Sequence, residues 1–163
     1  MTATDVAART DRRSPRPWLV LAGLLVATAV VAALGSWANA GETTGWYQDA
    51  EKPPWNPPSW VFGPVWTVLY AAMAVAAWLV WRRGGPLGLW WAQLAVNLVW
   101  SPVFFTLQWL WPGLVVILAL DVLVALCVWR FRRWSAAAAW LMVPYLAWTL
   151  YATTLSAAIA VLN

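Results

Sequence analysis

At 163 residues the chain has the length of one domain, yet 63% of it is hydrophobic and 10% charged, which lies outside the range of soluble globular domains and marks a membrane protein. The absence of histidine removes the commonest metal ligand, haem axial ligand and general base, and the lone Cys127 excludes an intramolecular disulfide and any multi-cysteine metal site. A net charge of +4 and 17 tryptophans remain to be placed; interface belts account for some indoles, and the surplus points to indoles lining something.

Residues 1–17 are polar and lack apolar periodicity, which reads as a disordered cytoplasmic arm. Residues 18–163 then read as a single all-α domain of five spanning helices, at about 18–38, 59–81, 87–110, 113–130 and 136–162. The run from Trp18 to Trp37 has the roughly 20 residues needed to cross a bilayer core. A rival reading is a cleaved signal peptide, because Ala38-Asn39-Ala40 resembles a cleavage site. Ser59 offers an N-cap to the second helix, which Arg82-Arg83-Gly84-Gly85-Pro86 closes. Pro102 predicts a kink in the third helix, Trp111-Pro112-Gly113 a short turn, and Pro144 an interruption of the fifth helix.

Charge then fixes the expected topology. With the N-terminus inside, Arg9, Arg12, Arg13, Arg16, Arg82, Arg83, Arg130, Arg132 and Arg133 all lie on the cytoplasmic side, against Lys52 alone outside. This predicts a bacterial plasma-membrane protein with its C-terminus outside and no surface left for nucleic acid. The first loop, rich in proline and aromatics from Trp46 to Pro58, falls on the non-cytoplasmic side. Proline stiffens such a loop while its aromatics present broad apolar faces.

Few residues inside the spans can carry chemistry. Asp121 sits near the middle of the fourth helix, where an aspartate costs about 2.5 to 3.5 kcal/mol on insertion scales, so it must face the protein interior. Two readings stand beside each other: a ligand or proton site, and a structural carboxyl hydrogen-bonded to Asn97, Ser101 or an indole N–H. Asn97 and Ser101, four apart, share a face of the third helix, and Trp148, Ala152 and Leu155 form a stripe on the fifth; taken by themselves, such patterns are explained by helix packing more readily than by ligand contact. Gly88 and Ala92 have the small-xxx-small spacing that permits close helix approach and a homodimer through the third helix, although Ala-rich helices produce such pairs by chance. No phosphate loop, catalytic triad or paired carboxylate is present, which argues against a hydrolase or kinase.

With the helices placed, the sequence resembles the TspO/MBR family of tryptophan-rich sensory proteins. The resemblance covers about residues 17–163. It rests on Trp46-Tyr47, Lys52-Pro53 with Trp55, Pro57-Pro58, Gly63-Pro64-Val65-Trp66 and Leu69-Tyr70, then on Gln93-Leu94-Ala95-Val96-Asn97 with Trp100, Pro102, Phe104 and Phe105. Asp121, Pro144-Tyr145-Leu146-Ala147-Trp148 and Ala152-Thr153-Thr154-Leu155 complete it. Because the family keeps the first helix, the signal-peptide reading recedes.

The resemblance implies a five-helix bundle whose apolar pocket opens toward the first loop, with that loop folded over it as a lid. Family members bind tetrapyrroles such as protoporphyrin IX, and many bind sterols and synthetic benzodiazepine-site ligands. The matching pocket positions are Trp66, Tyr70, Asn97, Asp121, Trp148, Ala152 and Leu155; Ser101 joins them from the face of Asn97, and Trp46, Tyr47, Trp55 and Pro57 from the lid. Animal members have asparagine where this chain has Ser156, and residues 157–163 contain neither Tyr nor Lys or Arg. The proposed cholesterol motif is therefore absent there, which argues against sterol and leaves tetrapyrrole binding untouched. Some bacterial members break protoporphyrin down in light and oxygen, which makes Trp66 and Trp148 the catalytic candidates; a stress sensor acting through protein partners is the third reading.

Overall fold

The computed structural model describes residues 16–39 and 45–163. Residues 1–15 of the expected arm, and residues 40–44, where Glu42 and the end of Ala38-Asn39-Ala40 fall, lie outside the described residues. Helices are α1 (Pro17–Asn39), α2 (Trp46–Asp49), α3 (Phe62–Trp81), α4 (Gly88–Ser101), α5 (Leu110–Phe131) and α6 (Ala136–Leu162). A 3-10 turn at Ser59–Val61 leads into α3, and a π-helical turn at Pro102–Thr106 follows α4. Among the described residues there is no strand.

Four stretches are long and apolar enough to cross a bilayer: Pro17–Trp37, Ser59–Trp81, Leu110–Phe131 and Ala136–Leu162. The third expected span departs from this pattern. Instead of one helix over 87–110, α4 has 14 residues, about 21 Å of rise, before Pro102 changes the winding. Proline lacks an N–H, so the carbonyl of Leu98 loses its usual partner; the chain widens and the Leu107 N–H reaches back five residues to the Pro102 carbonyl at 2.9 Å.

Three local expectations are corrected. The turn before α5 lies at 107–109, with Gln108 at φ 56°, while Trp111-Pro112-Gly113 is the first turn of α5 itself. Proline is tolerated there because the first N–H groups of a helix have no intrahelical partner to lose. Ser59 does not cap α3; it is the first residue of the 3-10 turn, which has no side-chain cap. Pro144 does not interrupt α6, which runs continuously past it. Its side chain is exposed, and membrane helices tolerate proline where neighbouring groups re-satisfy the backbone.

The stops and starts at the other end follow ordinary rules. Gly84 takes φ 75°, its N–H reaches the Trp81 carbonyl at 2.9 Å, and the Gly85 N–H reaches Val80 at 3.0 Å, a Schellman close that a glycine at positive φ permits. Ser135 caps α6 by accepting from the Ala138 N–H at 3.2 Å.

Each long helix packs on two others, α1 on α3 and α4, α6 on α3 and α5, and α4 also on α5. The five thereby close into a ring. One half of that ring is solid: Met73, Ala74, Ala76, Ala77, Val80 and Ala138 have no exposed surface, and such small residues let helix axes approach closely. Trp90 locks this half by donating to the Met73 carbonyl at 3.1 Å. Gly88 and Ala92 are both exposed on α4.

The relocated turn can be tested through Gly113, where an added Cβ would sit 2.8 Å from Phe104 Cδ2 and 3.3 Å from its Cα. Since backbone cannot yield as a side chain can, Gly113→Ala should cost about 1 to 3 kcal/mol. Gly23→Ala, with nothing within 4 Å, should be neutral or slightly stabilising; unfolding in detergent compares the two.

Candidate ligand-binding site

The other half of the ring is hollow. A cavity of about 460 Å³ is lined by α1, α3, α4 with its π-helical turn, and α6, within the size range of small-molecule sites. Helical periodicity builds its walls: Phe62, Trp66 and Tyr70 recur every four residues on one face of α3, Asn97 and Ser101 on α4, and Trp148 and Ala152 on α6. No charged residue is among those lining it. Its polar groups are hydroxyls, indole N–H groups and one amide, the hydroxyls of Ser36, Ser59 and Thr67 lying on exposed residues at its edge.

At the floor, the Tyr70 hydroxyl donates to Asn97 Oδ1 at 2.7 Å, and Asn97 Nδ2 donates to the Tyr145 hydroxyl at 2.9 Å. One amide thus ties α3, α4 and α6 together at a single level. Trp66 stacks on Tyr70 with ring centroids 5.3 Å apart and meets Tyr145 edge-on at 6.1 Å. Phe62 meets Trp148 edge-on at 5.8 Å. The indole N–H groups of Trp100 and Trp148 are buried without a protein acceptor.

Residues 45–58 lie against this half. Tyr47 is buried, contributes to the cavity wall and donates to Asn56 Oδ1 at 3.1 Å; burial, and secondarily Tyr151, pushes its phenol above the ordinary value, so it stays a neutral donor. Lys52 Nζ donates to the Gln48 and Ala50 carbonyls, both at 2.9 Å, and lies 5.0 Å from the centre of the Tyr47 ring. Two clasps then join the segment to α6. The Tyr151 hydroxyl donates to the Trp55 carbonyl at 2.6 Å. Asn163 accepts from the Glu51 N–H at 3.0 Å and donates to the Glu51 carbonyl at 3.1 Å, a reciprocal pair of bonds to one residue's backbone.

Of the residues singled out from the sequence, Tyr47, Trp66, Tyr70, Asn97, Ser101, Trp148 and Ala152 meet at the cavity. Trp46, Trp55, Pro57, Asp121 and Leu155 are not among its lining residues. Trp46 packs edge-on against Phe104 at 6.4 Å, Trp55 is exposed, and Pro57 accepts from Asn56 Nδ2 at 3.2 Å. Asp121 belongs to α5, which contributes nothing to the wall. Its Oδ2 accepts from Thr153 on α6 at 2.7 Å, while Oδ1 has no partner; neither Asn97, Ser101 nor an indole is the partner expected for it. The wall also includes Val31 and Gly35 of α1, Phe62, Leu98, Trp100 and Phe105. Phe62 was legible as the residue one turn before Trp66, whereas α1 carries no periodic signal.

Fold and cavity define the class: an all-helical membrane protein whose apolar helices surround a neutral, aromatic-lined cavity. Residues 23–162 match the TspO/MBR family, and the chain belongs to that family. It is 38% identical to the Translocator protein of Homo sapiens over 148 residues, 86% of this chain and 88% of that one. It is 37% identical to the Tryptophan-rich protein TspO of Archaeoglobus fulgidus over 150 residues, 89% and 97% of the two chains. The Tryptophan-rich sensory protein of Cereibacter sphaeroides is 37% identical over 142 residues, 85% and 88%.

The three-helix tie predicts unequal losses. Asn97→Leu strands the buried Tyr145 phenol and the half-buried Tyr70 phenol and should cost about 1 to 3 kcal/mol, whereas Tyr70→Phe removes one bond of a kind averaging about 0.6 kcal/mol in membranes. Equal losses on unfolding in detergent would show that Asn97 does not bridge.

Proposed function

We propose that this protein is a membrane receptor or carrier that holds a metal-free tetrapyrrole, protoporphyrin IX, in the bundle cavity. In this reading α4 and its π-helical turn complete a fifth span, and residues 45–58 are the lid. The protein works in a bacterial plasma membrane with its N-terminus in the cytoplasm.

The observation that carries the proposal is a neutral cavity walled by flat aromatic side chains. Each aromatic stacked on a porphyrin face is worth about 0.5 to 1.5 kcal/mol beyond area burial, and the chain has no histidine to ligate a haem iron. Because the lining offers no cation, the ligand's carboxylates belong at the edge, beside the hydroxyls of Ser36, Ser59 and Thr67. Membership of the TspO/MBR family supports the same class of ligand.

Protoporphyrin IX should quench tryptophan fluorescence saturably, and Ala152→Trp, which fills the cavity, should weaken binding by about tenfold or more. Linear quenching with no plateau, unchanged by Ala152→Trp, would remove the proposal. If residues 45–58 are the lid, Tyr151→Phe combined with Asn163→Ala should speed ligand entry and exit together with little change in affinity. In the absence of ligand, the same variant should speed hydrogen exchange at the Glu51 amide; unchanged exchange there would refute the clasp.

A second reading, light- and oxygen-dependent breakdown of protoporphyrin, is favoured by the presence of both Trp66 and Trp148 on the cavity wall, with Trp66 stacked on a hydrogen-bonded phenol. Trp148→Phe is a clean probe, because the indole N–H has no acceptor in the protein and no hydrogen bond is lost. Under illumination this variant and Trp66→Phe should slow porphyrin loss relative to the unmodified protein. Loss at the rate of empty detergent micelles in all three would leave binding as the function.

A further inference from the structure

The solid end of the bundle ends in arginine. Arg82 and Arg83 close α3, Arg130 lies in the last turn of α5, and Arg132 and Arg133 follow it; Arg16 stands just before α1. All six are exposed. The two loops that carry four of them touch. Arg83 Nη1 donates to the Trp134 carbonyl, and Gly85 lies so close that a Cβ there would sit 2.8 Å from the Trp134 ring. Arg16 joins this end because the Trp78 indole donates to the Pro17 carbonyl at 2.8 Å.

Three of the guanidiniums are held in place. Arg82 lies over the Trp78 ring at 4.7 Å and Arg133 over the Trp129 ring at 4.3 Å, a stacking that leaves the planar N–H edge free for bidentate acceptors. Arg83 is fixed by its bond to Trp134. Among the described residues no carboxylate balances them, the acids there being Asp49 and Glu51 near the cavity end, and Asp121, buried against Thr153.

We propose that this end of the bundle binds the phosphate of anionic phospholipid headgroups. A phosphodiester matches what the site offers, since arginine edges pair bidentately with phosphate oxygens. Depth selects lipid over a free anion. The arginines stand within about one turn of Trp78, Trp81, Trp129 and Trp134, where apolar spans end and indoles mark the headgroup level. The charges that set topology in the sequence thereby also hold a lipid at the end opposite the cavity, clear of every residue in the ligand site.

The test is lipid retention. The unmodified protein, reconstituted in discs of mixed phosphatidylglycerol and phosphatidylcholine, should enrich phosphatidylglycerol in its tightly held lipid by about tenfold, the effect of one or two engaged guanidiniums. Rising salt should reduce the enrichment, and Arg82→Gln with Arg133→Gln should abolish it while protoporphyrin titration stays unchanged. Equal retention of the two lipids, an enrichment indifferent to salt, or one that survives the double substitution would each overturn the proposal. Displacement of the lipid by millimolar inorganic phosphate would overturn it too, showing a site for soluble anions. The salt series uses the unmodified protein, so it decides even if the variant fails to fold.

Discussion

The structure depends on the amide of Asn97. In hydrocarbon no water can replace a lost hydrogen bond, and helices gain little from apolar contact with one another, because lipid tails are just as apolar. A side chain that accepts from Tyr70 on α3 and donates to Tyr145 on α6 therefore fixes three helices at one height. Toward the arginine end, Ala74, Ala77 and Ala138 let the helices close completely. Toward the other end, Phe62, Trp66 and Trp148 are too large to interlock along the same face, and the ring stays open. The cavity is thus the consequence of a change in side-chain size across a polar tie.

The segment over residues 45–58 follows a related economy of polar groups. Pro53, Pro54, Pro57 and Pro58 bring no N–H, so this stretch of backbone has few donors to satisfy near the membrane surface. What it does present are carbonyls, and α6 supplies the donors: Tyr151 to Trp55, and Asn163 to Glu51. The attachment is to backbone, so it constrains position while leaving the aromatic side chains free to pack.

How much was legible depends on the kind of signal. α1, α3 and α6 were readable because their apolar runs are long, and the α3 wall because its aromatics recur every four residues. The turn at 107–109 was not readable: Gln108 adopts positive φ without a glycine to announce it, and Pro112, a turn signal in isolation, is equally at home in a first helical turn. α1's share of the wall was hidden because a helix that is apolar all round has no face to distinguish. Asp121 was assigned to the pocket by resemblance and by cost, but cost says only that a carboxylate faces protein, not which neighbour. Thr153 could serve as well as Asn97, and α5 contributes no residue to the cavity wall.

That last fact explains how α6 relates the parts of the molecule. Residues 148 and 152 point one way, 149 and 153 roughly 100° further round. Trp148 and Ala152 line the cavity, while Thr153, one residue on, meets Asp121 on α5. Tyr151 turns to residues 45–58, and Asn163 holds them at the end. A rotation of α6 that admitted a wider ligand would carry Thr153 away from a carboxylate that already has one oxygen unpartnered. It would pull on both clasps as well. Asp121 therefore bears on the cavity from outside it: its bond to Thr153 opposes rotation of the helix that carries Trp148 and Ala152 in the cavity wall.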